Sequence, residues 1–330
     1  MKKKILVTGS TGFVGSHMVD FLLKNIKNID IYCTKRYHLS KLDNVKQFYN
    51  KVFWLDCDIT DPISVAKIIK EVQPDKIFHF AAESFVSPSW NHPNRYMSVN
   101  YNGTLNILEG IRNFSKNTKI IIPGSGEEYG EVHYKDLPIN EKTILKPVNP
   151  YAVSKIAQDL IAFVYFKSYG TKVIRTRTFN HEGPRRENVF GISSYAYQIA
   201  RIERGLQEPI IKVGILTDKR NFTHVYDIVK AYWKASEKCL LGELYLIGNE
   251  RSNSIFTFKQ TIEMLIKLSD FKNIKYKKYK PFVRPTNVPY LIADISKFKK
   301  KSGWKPLLSI NDILSDTLNY WRDKLDNGGI

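Results

Sequence analysis

The chain has 330 residues, 43% hydrophobic and 25% charged, with a net charge of +19. That length suits one large domain or two fused ones, and an ordinary charged fraction with 18 Phe and 19 Tyr spread along the chain excludes bulk disorder. No apolar run approaches the ~18 residues of a membrane span, and Ile5–Val7 behind Lys2–Lys4 is too short for a signal-peptide core, so neither membrane insertion nor export is expected.

Lys4–Thr8 is a short apolar run that stops at Gly9, and the spacing of Phe13, Val14, His17, Met18, Phe21 and Leu22 predicts a helix behind it. Ile29–Cys33 and Val52–Leu55 read as further strands, and Asp61-Pro62 opens a helix through Val65, Ile68 and Ile69. Lys76–Phe80, Lys119–Ile122 and Val173–Arg177 are more continuous runs. Unbroken apolar strands separated by helices predict an α/β fold, a doubly wound parallel sheet with helices on both faces. Past about residue 180 the alternation weakens and loops lengthen around Gly183-Pro184, Pro281 and Arg284-Pro285, so a smaller lobe is expected there.

Gly9, Gly12 and Gly15 lie where the first strand becomes helix. Backbone that turns sharply and approaches a pyrophosphate closely needs glycine, and the free N–H groups of the following helix attract the anion. The cradle would run over Gly9, Thr11, Gly12, Phe13, Val14 and Gly15. An NAD-selective fold of this kind carries an acid about 20 positions on, where this chain reads Cys33-Thr34-Lys35-Arg36. Lys35 and Arg36 would suit a 2′-phosphate, favouring NADP slightly over NAD. Asp58 could accept from an adenine amino group while Ile59 covers the ring; a helix cap before Asp61-Pro62 explains Asp58 equally well.

Tyr151 and Lys155 stand one helical turn apart on one face. A neighbouring ammonium favours the phenolate, which can take a proton from a hydroxyl as hydride leaves the carbon. Ser125 follows the apolar run at 119–122, at a strand's C-terminal end, where open α/β sheets bind ligands.

With these motifs the chain resembles the extended short-chain dehydrogenase/reductase family, almost end to end. The resemblance implies a Rossmann fold, with residues 1–180 mainly the dinucleotide-binding domain. Residues 181–330 would be mainly a sugar-nucleotide-binding lobe that returns some segments to the first. Ser125, Tyr151 and Lys155 would be the catalytic triad. Asp58-Ile59, His79-Phe80-Ala81-Ala82 and Asn100–Thr104 match adenine-binding, cofactor-lining and helix-kinking segments, so Phe80, Ala81 and Ala82 would line the cofactor. Thr178–Arg186, Gln198–Gly205, Val213–Phe222 and Val283–Thr286 look like the substrate segments of GDP-mannose 4,6-dehydratases and GDP-4-keto-6-deoxymannose reductases. Asn180, Arg186, Arg220 and Arg284 would then hold the sugar and diphosphate, consistent with the match between guanidinium and phosphate geometry. His181 would pack beside the nicotinamide.

Dehydration needs a base and an acid that hydride transfer at C4 does not. The dehydratases' Thr-(Asp/Ser)-Glu triplet reads Ser125-Gly126-Glu127 here: Glu127 keeps the base, and Gly126 leaves nothing for the helper. Ser125–Gly130, Leu137–Glu141 and Asn149–Lys155 look closer to the reductases. Glu83, next to Ser84 on the sugar side, replaces the Gln usual in both groups, and would serve an extra sugar hydroxyl or a salt bridge. The expectation is an NAD(P)-dependent oxidoreductase at C4 of a GDP-linked hexose or heptose, a 4-keto reductase or 4-dehydrogenase. The alternative is a 4,6-dehydratase using Glu127; a non-catalytic dinucleotide sensor is the alternative of another class.

Cys33, Cys57 and Cys239 show no metal-ligand spacing, so no metal is expected, and three scattered cysteines suit a cytoplasmic protein. Residues 272–305 hold eleven basic residues and one acid. Without a helix-turn-helix, zinc or RNA-binding signature this reads as a solvated surface that partly draws in an anionic substrate, not as a nucleic-acid site. The family usually pairs as a homo-oligomer through helices beside the Tyr151 segment, so Ile156, Leu160, Val164 and Tyr165 would face a partner or serve as helix core.

Overall fold

The computed structural model describes residues 2–328. The first half alternates as the runs predict: β1 (Lys3–Thr8), α1 (Phe13–Asn25), β2 (Ile29–Lys35), β3 (Phe53–Asp56), α2 (Pro62–Val72) and β4 (Lys76–His79). Asp61 caps α2 by accepting from the Ile63 amide at 3.0 Å, with Pro62 in the first helical position. The short α3 (Pro93–Tyr96) runs through a π-helical turn, Met97–Asn102, into α4 (Gly103–Phe114). Then come β5 (Lys119–Ser125), α5 (Pro150–Tyr169) and β6 (Lys172–Thr178). Asn149 caps α5 through the Ala152 amide at 2.8 Å, and Gly170 in the left-handed conformation ends it.

The second half contributes β7 (His181–Glu182), α6 (Gly191–Glu203), β8 (Ile210–Val213), β9 (Lys219–Asn221), β10 (Thr223–His224), α7 (Val225–Lys238) and β11 (Leu244–Ile247). After these come β12 (Ile255–Thr257), α8 (Phe258–Leu268), β13 (Lys275–Lys278), β14 (Tyr290–Leu291), α9 (Ser296–Ser302) and α10 (Ile310–Asp326).

Seven strands form one parallel sheet in the order β11-β6-β5-β4-β1-β2-β3. Alternation along each strand sorts its residues to two faces. Val7, Phe78, Ile121 and Ile174 lie in one register row and pack under α1 and α7 with Met18, Leu22 and Val229. The next row, Leu6, Ile77, Ile120 and Val173, packs under α2, α4 and α5 with Ile69, Ile107 and Ala162. Each such side chain removed from water stabilises the fold by about 1.5–3 kcal/mol, so both faces are closed and the strands can be apolar throughout.

A second core lies outside the sheet, where α6, α8 and α10 pack through Ile199, Ile262, Leu314 and Trp321. Trp321 donates its indole N–H to Ser193 Oγ at 2.9 Å, joining α10 to α6. Of the candidate pairing residues on α5, Leu160 and Val164 are exposed, whereas Tyr165 is buried and donates to Glu109. No described helix is long and apolar enough to cross a membrane.

Candidate active site

β1 has β2 on one side and β4 on the other, so the chain reverses its winding between β1 and β4, and a crevice opens at the strands' C-terminal ends. A cleft of about 790 Å³ occupies that place, running from the glycine loop, past the ends of β4 and β5, to the second lobe. Gly9 sits at φ +65, and a Cβ there would lie 2.6 Å from the Ala81 amide; one on Gly15 would lie 2.1 Å from the Gly9 carbonyl oxygen. Neither position tolerates a side chain. Gly12 caps α1 without any side-chain hydrogen bond, and the helix's first turn holds no acid, so its N-terminal amides face the cleft uncompensated. Phe13, Val14, Phe80, Ala82 and Ser84 line the same wall.

Ser125 ends β5 and begins a capping box: its hydroxyl accepts from the Glu127 amide at 3.2 Å, and the Glu128 carboxylate accepts from the Ser125 amide at 2.7 Å. Glu128 is fully buried and reaches Arg177 Nε at 2.6 Å, while Arg177 Nη2 reaches Asp159 at 2.7 Å. This buried ion-pair network fixes β5, β6 and α5 relative to one another directly beneath Ser125. Burial raises the Glu128 carboxyl, to about 7, against the Arg177 guanidinium.

Tyr151 and Lys155 both face the cleft from the first turns of α5. Burial pushes the Tyr151 phenol above its ordinary value, hydrogen bonding from Ser125 works the other way, and the charges of Glu127 and Glu128 add to the rise. Lys155 stands one helical turn further along α5. Its buried ammonium needs acceptors, and it donates to the Pro123 carbonyl at 2.5 Å and to Gln158 Oε1. Burial lowers the ammonium to about 8, against Glu128 and Asp159. Gln158 in turn donates to Thr104 Oγ1 at 2.8 Å, which donates to the Asn100 carbonyl. The His79 Nε2–H therefore donates to Thr104, and its Nδ1 accepts from Thr8. His79 is a neutral linker, held down to about 3 by burial and then by Lys155.

Glu127 projects beside this centre, accepting from Asn149 Nδ2 at 3.1 Å, with Arg284 Nη1 4.0 Å away. Arg220 lines the cleft but is buried, donating to the Lys219 and Val288 carbonyls at 2.9 and 2.6 Å. Arg186 lines it too, stacked 3.8 Å over the Phe190 ring and 4.9 Å from Phe13, with Glu182 3.6 Å away. His181 stacks on Phe13 with ring centroids 5.8 Å apart and donates Nδ1–H to the Phe179 carbonyl. Burial, then Arg186, holds it down to about 3, so it packs as a neutral ring. Asn180 lines the cleft, its carbonyl accepting from the Thr223 amide.

Other expected residues lie off the cleft. Lys35 is ion-paired to Asp56 at 2.8 Å, leaving Arg36 exposed beside Asp58. Asp58 turns back onto Thr60, accepting from its amide and hydroxyl, and the cap of α2 belongs to Asp61. Burial works against the Asp58 charge, but Thr60, Arg36 and Arg95 outweigh it and keep the carboxyl below its usual range. Ile59 does not present a face to a ring: it is 6% exposed, and its Cδ1 would lie 2.5 Å from a Cβ on Gly103, so it is core under α4. Glu83 takes the salt-bridge alternative, 2.7 Å from Arg95. The Thr11 carbonyl accepts from Asn44, and the Ala81 amide donates to Thr8 Oγ1, so both act through backbone.

Sequence reasoning passed over Asn149, which both caps α5 and steadies Glu127; the Asn149-Pro150 pair before a helix was its signal. It also passed over Tyr232, buried in the cleft wall and hydrogen-bonded to Thr178 at 2.7 Å, for which the sequence carries no local signal.

The family model for GDP-mannose 4,6 dehydratase matches residues 6–317. GDP-6-deoxy-D-mannose reductase of Pseudomonas aeruginosa is 28% identical over 325 residues, covering 98% of this chain and 99% of the reductase. GDP-mannose 4,6-dehydratase of Vibrio cholerae is 30% identical over 350 residues, covering 96% of this chain and 93% of the relative. The solved structure of RMD from Pseudomonas aeruginosa, complexed with NADPH, has a TM-score of 0.83 at 28% identity and covers 98% of this chain and all of that one.

Proposed function

The chain belongs to the GDP-mannose 4,6 dehydratase family, and on that premise we propose that it exchanges hydride at C4 of a GDP-linked hexose or heptose, as a 4-keto reductase or 4-dehydrogenase. The observation that carries this reading is a buried phenol, Tyr151, facing the same cleft as Ser125 at the strand ends and an uncapped glycine-loop helix. A nicotinamide dinucleotide fits the residues present: glycines at 9 and 15 leave no room for any Cβ, and the α1 amides await an anion. Gly12, Phe13 and Val14 would hold its pyrophosphate, and Arg36, free of the ion pair that occupies Lys35, would hold a 2′-phosphate. That favours NADP over NAD, in line with the NADPH-bound relative. When bound, the dinucleotide gives or takes the hydride.

The chain's own residues handle the proton and the pose. Ser125 hydrogen-bonds the oxygen on C4 and Tyr151 exchanges its proton. A phenol whose buried surroundings keep it protonated is ready to donate, which suits reduction of a ketone. Lys155, fixed by Pro123 and Gln158, supplies the charge that steadies the phenolate left behind. Arg284 and Arg220, both on the cleft wall, suit the diphosphate.

A second reading, 4,6-dehydration, is favoured by one observation: Glu127 is a carboxylate in the cleft with a fixed orientation from Asn149. Exposed Leu160 and Val164 on α5 support pairing of two copies, and three buried, unpaired thiols suit a reducing cytoplasm. The deciding experiment supplies the chain with a GDP-4-keto-6-deoxyhexose and NADPH or NADH, and separately with GDP-mannose and GDP-manno-heptose, each with NADP+ or NAD+. Oxidation of the reduced dinucleotide by the keto sugar supports the reductase, and a GDP-sugar product lighter by two hydrogens supports the dehydrogenase. A product lighter by one water overturns both in favour of the dehydratase.

A further inference from the structure

The basic stretch 272–305 divides into two groups with different surroundings. In the later group Lys297 is ion-paired to Glu243 and Lys299 to Glu250, at 2.7 and 2.6 Å, and no residue of α9 lines the cleft. The earlier group is different. β13 pairs in parallel with β8, placing Lys277 beside Lys212 and Lys278 beside Val213. Lys212 lines the cleft, and so do Pro281, Phe282 and Arg284, into which β13 leads. Lys275, Lys277, Lys278 and Lys280 are all exposed, and none forms an ion pair among the described residues. The nearby Glu263 carboxylate is shared between the Tyr276 hydroxyl at 3.3 Å and Lys259 at 3.9 Å, and pairs with none of these four.

Like charges on adjacent strands repel, and among the described residues no carboxylate pairs with these lysines; Lys212 alone lies over an aromatic ring, that of Tyr279 at 5.1 Å. Their placement gives them a use, because they lie in the segment that leads into the cleft wall at Pro281, Phe282 and Arg284, and a GDP-linked sugar is a small dianion. We infer that Lys275, Lys277, Lys278 and Lys280 form an electrostatic collector for the nucleotide diphosphate moiety, raising its rate of entry without holding it once bound. The inference rests on the proposed use of a nucleotide-sugar substrate. Its physical basis is that a one-sign rim beside a low-dielectric cleft raises encounter rates by 10- to about 1,000-fold at low salt. The field reaches about 30 Å at 0.01 M ionic strength and about 3 Å at 1 M.

The test uses the full chain and a fluorescent GDP analogue in stopped flow. The triple variant Lys277→Gln/Lys278→Gln/Lys280→Gln is compared with Lys300→Gln/Lys301→Gln/Lys305→Gln, which removes equal charge from the α9 region. The expected result is an association rate about tenfold lower for the first triple near 0.01 M salt. Its dissociation rate stays unchanged, its deficit vanishes near 1 M salt, and the second triple associates like the wild type. Equal losses in both triples would show that net charge, not placement, matters and would overturn the collector. So would an unchanged association rate, or a loss confined to dissociation. Binding of a single-stranded oligonucleotide that the first triple abolishes, with nucleotide association unaltered, would reassign the patch to nucleic acid. A wild-type chain that binds no nucleotide diphosphate at all would overturn the functional reading itself.

Discussion

Among the described residues Arg177 is the one cation ion-paired to Glu128, and it also holds Asp159; its side chain is 5% exposed and theirs 0% and 3%. Arg177→Met removes that cation, leaving Glu128 buried without a contacting cation and Asp159 with Arg175 alone, at 3.2 Å. Breaking a buried pair from one side costs about 3–5 kcal/mol. At roughly 2.1 cal/mol/K of unfolding entropy per residue, this chain gains about 0.7 kcal/mol/K on unfolding, so the melting temperature should fall by about 4–7 °C. The loss should depend on pH in a definite direction. Without Arg177 the buried Glu128 carboxyl is easier to protonate folded than unfolded, so the folded state binds the extra proton. Stability of the variant then falls as pH rises through the folded value, and the deficit is smaller at pH 5 than at pH 8. Thermal unfolding followed by circular dichroism at both pH values tests this. A drop under about 1 °C, or a deficit that grows toward acid, would refute the network's assigned role. Because Glu128 also anchors the Ser125 amide, activity of the folded variant should fall as well.

Tyr151→Phe should lower turnover by about a hundred- to ten-thousandfold while dinucleotide binding persists; equal losses of both would place the phenol in cofactor binding instead. Gly15→Ala, whose Cβ would lie 2.1 Å from the Gly9 carbonyl oxygen, should abolish saturable dinucleotide binding in a fluorescence titration. Asn149→Ala removes the cap of α5 and should cost about 1 kcal/mol in urea unfolding, with a further loss of any dehydration that uses Glu127. Arg36→Glu should raise the KM for NADPH about tenfold relative to NADH; an unchanged ratio would take Arg36 out of cofactor selection.

The strands, the glycine loop and the Ser125, Tyr151 and Lys155 arrangement were legible because each depends on local chain chemistry: apolar runs, a turn only glycine can make, and helical spacing. What escaped was where side chains find partners across the fold. Lys155 reads as a neighbour of Tyr151 by spacing, yet it is directed to Pro123 and Gln158 because a buried ammonium takes the acceptors that tertiary structure offers. Ile59 follows a carboxylate in both readings, but only the packing of α4 at Gly103 decides that it is core. Lys35 and Arg36 look equivalent in sequence, and Asp56 on the next strand separates them. Likewise the run of lysines from 272 to 305 is uniform in composition but not in surroundings.

β11 completes the edge of the main sheet beside β6, yet it is made some sixty residues later in the chain, after α6 and α7. During synthesis the growing chain therefore carries β6 as an open edge, with Arg175–Thr178 unpaired on that side until Leu244–Ile247 emerges. An open edge is a template for pairing with another chain, so the nascent protein is exposed to association with its neighbours over that interval. A fragment ending near residue 180 would keep that edge permanently, and would report on aggregation before it reported on cofactor binding.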